Sequence, residues 1–242
     1  MRYGIFSDVH SNLEALDTVI KAYEKEDIGR YLCIGDVVGY AANPIECVEK
    51  VKALASTTVA GNHDWAVVDL FSVEYFIPVA KEALFWTKNK LTDSVRYFLE
   101  SLKPVYENED LTLVHGTLEA PDEFNYLTGD IAAAETFSAL KGKICFVGHT
   151  HRSGIFIKDY LDSIHYKESG QIEIKEQNKY IINVGSVGQP RDGNPLAAYC
   201  IYDTEKKEVQ IKRVSYNIQA ARAKIIQAGL PQYLGERLLS GT

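Results

Sequence analysis

A chain of 242 residues with 46% apolar side chains can bury a full core and reads as one domain, or one with an insertion. Its formal net charge of −7 comes with no basic patch, which argues against broad electrostatic binding to nucleic acid. No apolar run approaches the ~18 residues of a membrane span, and Cys33, Cys47, Cys145 and Cys200 lack Cys-x-x-Cys spacing.

The chain opens Met1-Arg2-Tyr3-Gly4-Ile5-Phe6, straight into a strand pattern without a signal peptide, so a cytoplasmic protein with buried free thiols is expected. Ser7-Asp8-Val9-His10-Ser11-Asn12 follows the strand, with Ser11 or Asn12 as a helix cap. Leu13, Leu16, Val19, Ile20 and Tyr23 then recur at helical spacing. Tyr31-Leu32-Cys33-Ile34 is a second buried strand, ended by Gly35-Asp36. Pro44 opens a second helix, and Thr57-Thr58-Val59-Ala60 forms a third strand ended by Gly61-Asn62-His63-Asp64. Strand alternating with helix predicts an α/β sheet with parallel strands, whose ligands bind outside the strand carboxyl ends.

From Trp65 to Leu102 the period is helical and aromatic residues crowd, which predicts a helical layer or a cap-like wall over 65–102. Leu111-Thr112-Leu113-Val114 is another strand, ending in His115-Gly116. A loop through Pro121 and Tyr126 leads to a helix near 130–140, and Cys145-Phe146-Val147 runs into Gly148-His149-Thr150-His151. Beyond His151 come short strand-like runs at Gly154–Lys158, Ser163–Lys167, Ile172–Lys175, Tyr180–Asn183, Ala197–Tyr202 and Val209–Val214. Turn signals such as Ser169-Gly170 separate them, and the pattern predicts antiparallel hairpins forming a second sheet. Tyr216 to Ala228 closes with a helix capped by Asn217, and the tail from Pro231 is a short amphipathic helix or frays. His165 is expected to be an exposed strand residue.

Five strands thus deliver Asp8, His10, Asp36, Asn62, His63, Asp64, His115, His149 and His151 to one end of a sheet. Five of the six histidines are among them. A mixture of carboxylate, imidazole and amide suits a divalent transition metal such as Mn, Fe, Co, Ni or Zn. It lacks the thiolates of a structural zinc site and the all-oxygen set that calcium prefers. Asp8, His10, Asp36, Asn62, His115, His149 and His151 are too many ligands for one tetrahedral site. They suit two metals that share a carboxylate, ~3.5–4 Å apart.

Asp8-x-His10, Gly35-Asp36, Gly61-Asn62-His63-Asp64, His115-Gly116 and Gly148-His149-x-His151 resemble, in order, the five blocks of the calcineurin-like metallophosphoesterase family. The resemblance spans residues 3 to 151, and Asn183 to Arg191 extends it toward the small prokaryotic members. It implies a four-layer α-β-β-α sandwich with two mixed β-sheets and a dinuclear site at the strand carboxyl ends. It implies that Asp8, His10, Asp36 and His151 hold one metal and that Asp36, Asn62, His115 and His149 hold the other. His63 would act on the scissile phosphate as a general acid or charge stabiliser, oriented by Asp64.

One departure bears on the substrate. The family's protein serine/threonine phosphatases and symmetrical dinucleoside tetraphosphatases follow Gly-Asp with an Arg-Gly that grips phosphate. Here the run is Gly35-Asp36-Val37-Val38-Gly39-Tyr40, without arginine. Small phosphodiesters or dinucleoside polyphosphates are therefore the expected substrates, with monoesters and phosphoproteins as the alternative. Arg191 is a candidate substrate guanidinium, and Tyr126 a candidate substrate contact. A non-catalytic scaffold on this fold would show eroded ligands, and none is eroded. Monomer or homo-oligomer stays open.

Overall fold

The computed structural model describes residues 1–168 and 170–242. β1 (Arg2–Phe6) passes into α1 (Leu13–Tyr23) because Asn12 caps the helix, its Oδ1 accepting the Ala15 N–H at 3.2 Å. Leu16, Val19 and Tyr23 are its buried stripe, and the Tyr23 hydroxyl donates to the Ile5 carbonyl at 2.9 Å. β2 (Arg30–Cys33) is followed by α2 (Pro44–Leu54), with proline in the first turn, where an N–H would have no helical partner anyway. β3 (Thr57–Thr58) leads into the short α3 (Asn62–Ala66), then α4 (Pro78–Lys88) and α5 (Asp93–Ser101).

β4 (Val105–Glu107) and β5 (Thr112–Val114) form a hairpin, and α6 (Gly129–Ala139) precedes β6 (Ile144–Val147). Next come β7 (Gly154–Lys158), β8 (Ile164–Glu168), β9 (Gln171–Glu173) and β10 (Lys179–Asn183). β11 (Ala197–Asp203), β12 (Glu208–Val214), α7 (Ile218–Gln227) and α8 (Gln232–Glu236) complete the chain. The turn expected at Ser169-Gly170 falls in part on Ser169, which lies outside the described residues.

Two mixed six-stranded sheets stack face to face. The first runs β3-β2-β1-β11-β12-β9 and the second β4-β5-β6-β10-β7-β8. Tyr3, Ile5, Leu32 and Ile34 from the first meet Leu113, Phe146, Tyr180 and Ile182 from the second in the inter-sheet core. Phe6 and Cys33 pack with the stripes of α1, α2 and α5 on one outer face, and α6 covers the other through Ala133 and Phe137. This is the expected helix-sheet-sheet-helix order.

The division of strands between the sheets departs from the sequence reading. The runs after His151 do not form a sheet of their own. β11 pairs antiparallel with β1, and β12 and β9 follow it, so three of these strands finish the first sheet. β5 and β6 instead join β10 in the second sheet. A period-two pattern reports which side chains are buried. It does not report which strand edge supplies the hydrogen bonds.

The tail does not fray: Leu234 and Leu238 pack beside Tyr40, Ala80 and Ile225. His165 is exposed on β8, as expected. The four cysteines are buried and unpaired. Among the described residues no helix is long and apolar enough to cross a membrane.

One ion cluster ties the first sheet together. Glu26 accepts from Arg2 at 2.8 Å and also from Lys212. The Lys212 hydrogen bond holds the Glu26 carboxyl below its ordinary value, against partial burial. A depressed folded-state pKa gives stability that is present above the unfolded value and lost as pH falls through the folded one. Glu26→Gln should cost about 1 kcal/mol at pH 7. The gap to the wild type should close below about pH 4, as read from urea midpoints at both pH values.

Candidate metal centre

The site is built where β1, β2, β3, β5 and β6 end. Asp8, His10, Asp36, His149 and His151 all adopt positive φ, between 48° and 64°. Left-handed backbone at a non-glycine residue costs on the order of 1 kcal/mol each, so the surroundings must impose it. Interstrand bonds do so. Asp8 N–H donates to the Gly35 carbonyl at 3.0 Å, and His10 N–H donates to the Asp36 carbonyl at 2.9 Å. From the far side Gly188 N–H donates to the Asp8 carbonyl at 2.9 Å, and Arg191 N–H to the His151 carbonyl at 3.1 Å. The 183–191 loop, singled out in the sequence, is thus the back wall of the site.

Asp8, His10, Asp36 and His151 are buried and offer ligand atoms within 4.8 Å of one another. Asp36, His115 and His149 form a second such group, and Asp36 belongs to both. Asn62 is 8% exposed, and its Oδ1 has no partner.

The ring nitrogens decide what this arrangement can hold. Nδ1 of His10, His115 and His151 lies against the carbonyls of Val38, Ile34 and Gln189, at 3.0, 2.7 and 2.5 Å. A carbonyl only accepts, so each Nδ1 carries a proton and each Nε2 is the atom left to ligate. Nε2 of His10 and Nε2 of His151 are nonetheless 3.0 Å apart. Asp8 Oδ1, itself without a hydrogen-bond donor, is 3.2 Å from His151 Nε2. His115 Nε2 also lacks a partner and stands 3.3 Å from Asp36 Oδ2. Acceptors facing acceptors in a buried pocket repel, and a divalent cation between them satisfies the whole set. Burial pushes His149 and His151 down to about 3, which keeps both rings neutral and ready to ligate, whereas the charge of Asp36 pushes His115 up to about 9 against its burial, so that a cation bound there takes the place of a proton. The residues present therefore fit divalent metal.

Glycines make room for this packing. A Cβ on Gly61 would lie 2.1 Å from Asp36 Oδ1 and 2.3 Å from the Asp36 amide nitrogen. The obstacle includes backbone, so the Asp36 loop would have to move. Gly61→Ala should lower bound metal and activity together by ~10-fold or more, since misplaced ligand-supporting contacts typically cost 10–100-fold. Metal analysis of the purified variant checks this.

A profile described as "Calcineurin-like phosphoesterase superfamily domain" matches residues 1–207. The chain belongs to the calcineurin-like phosphoesterase family. An uncharacterized protein of Methanocaldococcus jannaschii is 39% identical over 242 residues, covering 98% of this chain and 97% of its own. The crystal structure of a metallophosphoesterase from Sphaerobacter thermophilus superposes with a TM-score of 0.89 at 38% identity, covering 100% of this chain and 99% of that one. A hypothetical protein from Pyrococcus horikoshii shares the fold, with a TM-score of 0.78 at 16% identity and coverage of 100% and 98%. The chain is a phosphoric ester hydrolase of a family that uses divalent metal ions.

Within this phosphoesterase, His63 and Asp64 are both buried but serve different places. The His63 ring sits among His10, Tyr40 and Phe76, with centroids 4.8, 4.5 and 4.9 Å away, and its Nδ1 has no partner. Burial holds His63 well below the ordinary histidine value, against the charge of Asp36. Contrary to the expectation that it orients His63, Asp64 makes no hydrogen bond to that ring among the described residues. Its Oδ1 accepts from the Val37 and Val38 amides at 2.9 and 3.2 Å, and its Oδ2 from Gly61 N–H at 3.1 Å. It braces the loop after Asp36, because three converging amides outcompete a ring for a buried carboxylate. The backbone N–H of His63 donates to Asp36 Oδ1 at 2.9 Å, so the histidine is positioned through Asp36.

A cavity of about 600 Å³ opens over the cluster, with Asp36, Asn62, His63, His149 and His151 lining it. Phe71, Tyr75 and Phe76, between α3 and α4, supply aromatic wall. Tyr126 stacks on His149, with centroids 4.0 Å apart. Arg191 reaches the cavity with its guanidinium 5.5 Å from the centre of the Tyr40 ring. Sequence reasoning missed Tyr40, Tyr233 and Arg237, which also line it. Tyr40 lies next to a motif already in view. Tyr233 and Arg237 carry no local signal.

Proposed function

We propose that this enzyme hydrolyses small phosphodiesters or phosphoanhydride-linked substrates with two divalent cations, drawn from Mn, Fe, Co, Ni and Zn. Asp8, His10, Asp36 and His151 would hold one, and Asp36, Asn62, His115 and His149 the other. The observation that carries this reading is the pair of buried Asp/His clusters sharing Asp36, with imidazole nitrogens and unpartnered oxygens converging. When bound, such a metal pair lowers the pKa of water and neutralises charge on the phosphoryl oxygens.

The chain's own residues supply position and a proton. His63 faces the cavity beside Asp36; the anionic phosphate of a bound substrate offsets the burial that holds its ring neutral, and the ring then assists departure of the leaving oxygen. The carbonyls on Nδ1 of His10, His115 and His151 fix the rings. Asp64 holds the Asp36 loop. The 65–102 segment belongs to the single domain over 1–242 and walls the cavity with Phe71, Tyr75 and Phe76, which suit an aryl or base group. Four buried, unpaired thiols suit a cytoplasmic enzyme.

No arginine follows Asp36, so the extra charge of a monoester dianion lacks the clamp that the resemblance ascribes to the family's protein serine/threonine phosphatases. On metal-defined protein, bis-p-nitrophenyl phosphate should show a higher kcat/KM than p-nitrophenyl phosphate or a phosphopeptide, and a chelator should abolish turnover. Preference for either monoester would overturn the substrate class. Chelator-insensitive hydrolysis would overturn the mechanism.

A further inference from the structure

We infer that Arg191 and Arg237 together seat a second phosphate group of the substrate, beyond the one at the metal centre, so that the C-terminal segment selects substrates. This rests on the phosphoesterase reading above and names a feature of its substrate. Both arginines line the cavity over the cluster, and both also line an adjoining hollow of about 650 Å³. They therefore stand between the two spaces. Among the described residues, neither guanidinium lies within ion-pair distance of a carboxylate side chain. In a chain of net charge −7, two like charges standing together on one wall favour an anion between them.

Each arginine is held in place but keeps donors free. Arg191 donates Nε and Nη2 to Gln189 Oε1 at 3.3 and 2.8 Å, and its backbone is bonded to His151. Arg237 donates Nε to the Thr242 carbonyl at 2.6 Å, with its guanidinium 5.3 Å from the centre of the Tyr233 ring. Leu234 and Leu238, on either side in sequence, are buried and anchor this segment beneath the cavity wall. Burial and the neighbouring Arg191 charge lower the Arg237 pKa, a repulsion that a bound anion relieves. Planar guanidiniums bind phosphate in paired N–H contacts, so two of them make a selective seat. The loop that carries Tyr126 brings Asp122 and Glu123 to the same cavity. Their charges repel an anion and leave the arginine side for it. Arg237 lies past residue 207, where the family profile stops matching, so this half of the seat belongs to the segment outside that profile.

The test is binding, read by titration calorimetry on Mn-loaded protein. The probes are thymidine 5′-monophosphate and thymidine 3′,5′-bisphosphate, and the readout is their affinity ratio. The wild type should favour the bisphosphate by ~10–100-fold, as expected for hydrogen bonds to a charged group. Arg237→Gln should cut that ratio about tenfold, and so should Arg191→Gln. A purely structural role would weaken both probes alike and leave the ratio unmoved. The wild-type ratio should also shrink from low to high salt, a measurement that needs no variant. Equal affinities in the wild type, a salt-independent ratio, or an unchanged ratio in Arg237→Gln would overturn the proposal. If the ratio behaves as stated while bis-p-nitrophenyl phosphate is not turned over, the diester reading fails and the phosphate seat stands.

Discussion

Asp36→Asn is expected to empty both metal positions at once. The change keeps the shape of the side chain, and an Asn Oδ1 can still accept the His63 N–H that Asp36 Oδ1 accepts at 2.9 Å. What disappears is the one negative charge that belongs to both ligand groups. Losing a ligand of one metal only would leave the other occupied, whereas a shared carboxylate ties the two together. We expect bound metal to fall from about two ions per chain to well under one. Turnover should drop by ~10³-fold or more, about 4 kcal/mol of transition-state stabilisation. Elemental analysis and kcat/KM on the same preparation check this. Two retained ions, or loss of a single one, would remove Asp36 from the shared position.

His63→Ala should separate chemistry from metal holding. Neither of the two Asp/His groups includes His63, and its Nδ1 has no partner among the described residues. Metal content should therefore stay at the wild-type level while kcat falls by ~10²–10⁴-fold, the usual range for a group acting in proton transfer. The ring packs against Tyr40 and Phe76, so its removal should also lower the melting temperature somewhat. An aryl ester with a very acidic leaving group needs less help in departing. The loss on that substrate should be smaller than on an alkyl ester. Equal losses would assign His63 to charge stabilisation, and loss of metal would move it among the ligands.

Much of the site was legible in the sequence because its ligands lie in short, ordered blocks. Each block follows an apolar run, and glycines stand beside the ligands where a Cβ would collide with Asp36 or Asp8, at Gly61 and Gly148. Asp64 was harder to read. The family resemblance implied that it orients His63, but the first turn of α3 points the carboxylate at three amides from the Asp36 and Gly61 loops. Helical geometry places adjacent residues ~100° apart around the axis, so neighbours in sequence do not face one another.

Local signals along the chain were enough to lay out the strand-helix alternation, the buried faces and the set of candidate ligand residues. They were enough because strand ends, caps and hydrophobic periods are local features. Which sheet each late strand joins follows from long-range pairing, since β11 finds its partner β1 almost two hundred residues upstream through backbone hydrogen bonds that any sequence can make. Tertiary structure alone brought Arg237 and Tyr233 to the cavity, by docking Leu234 and Leu238 against Tyr40 and Ala80. It also set the lone pairs of His10 and His151 face to face, because each ring's direction is chosen by a carbonyl from a different loop, Val38 for one and Gln189 for the other.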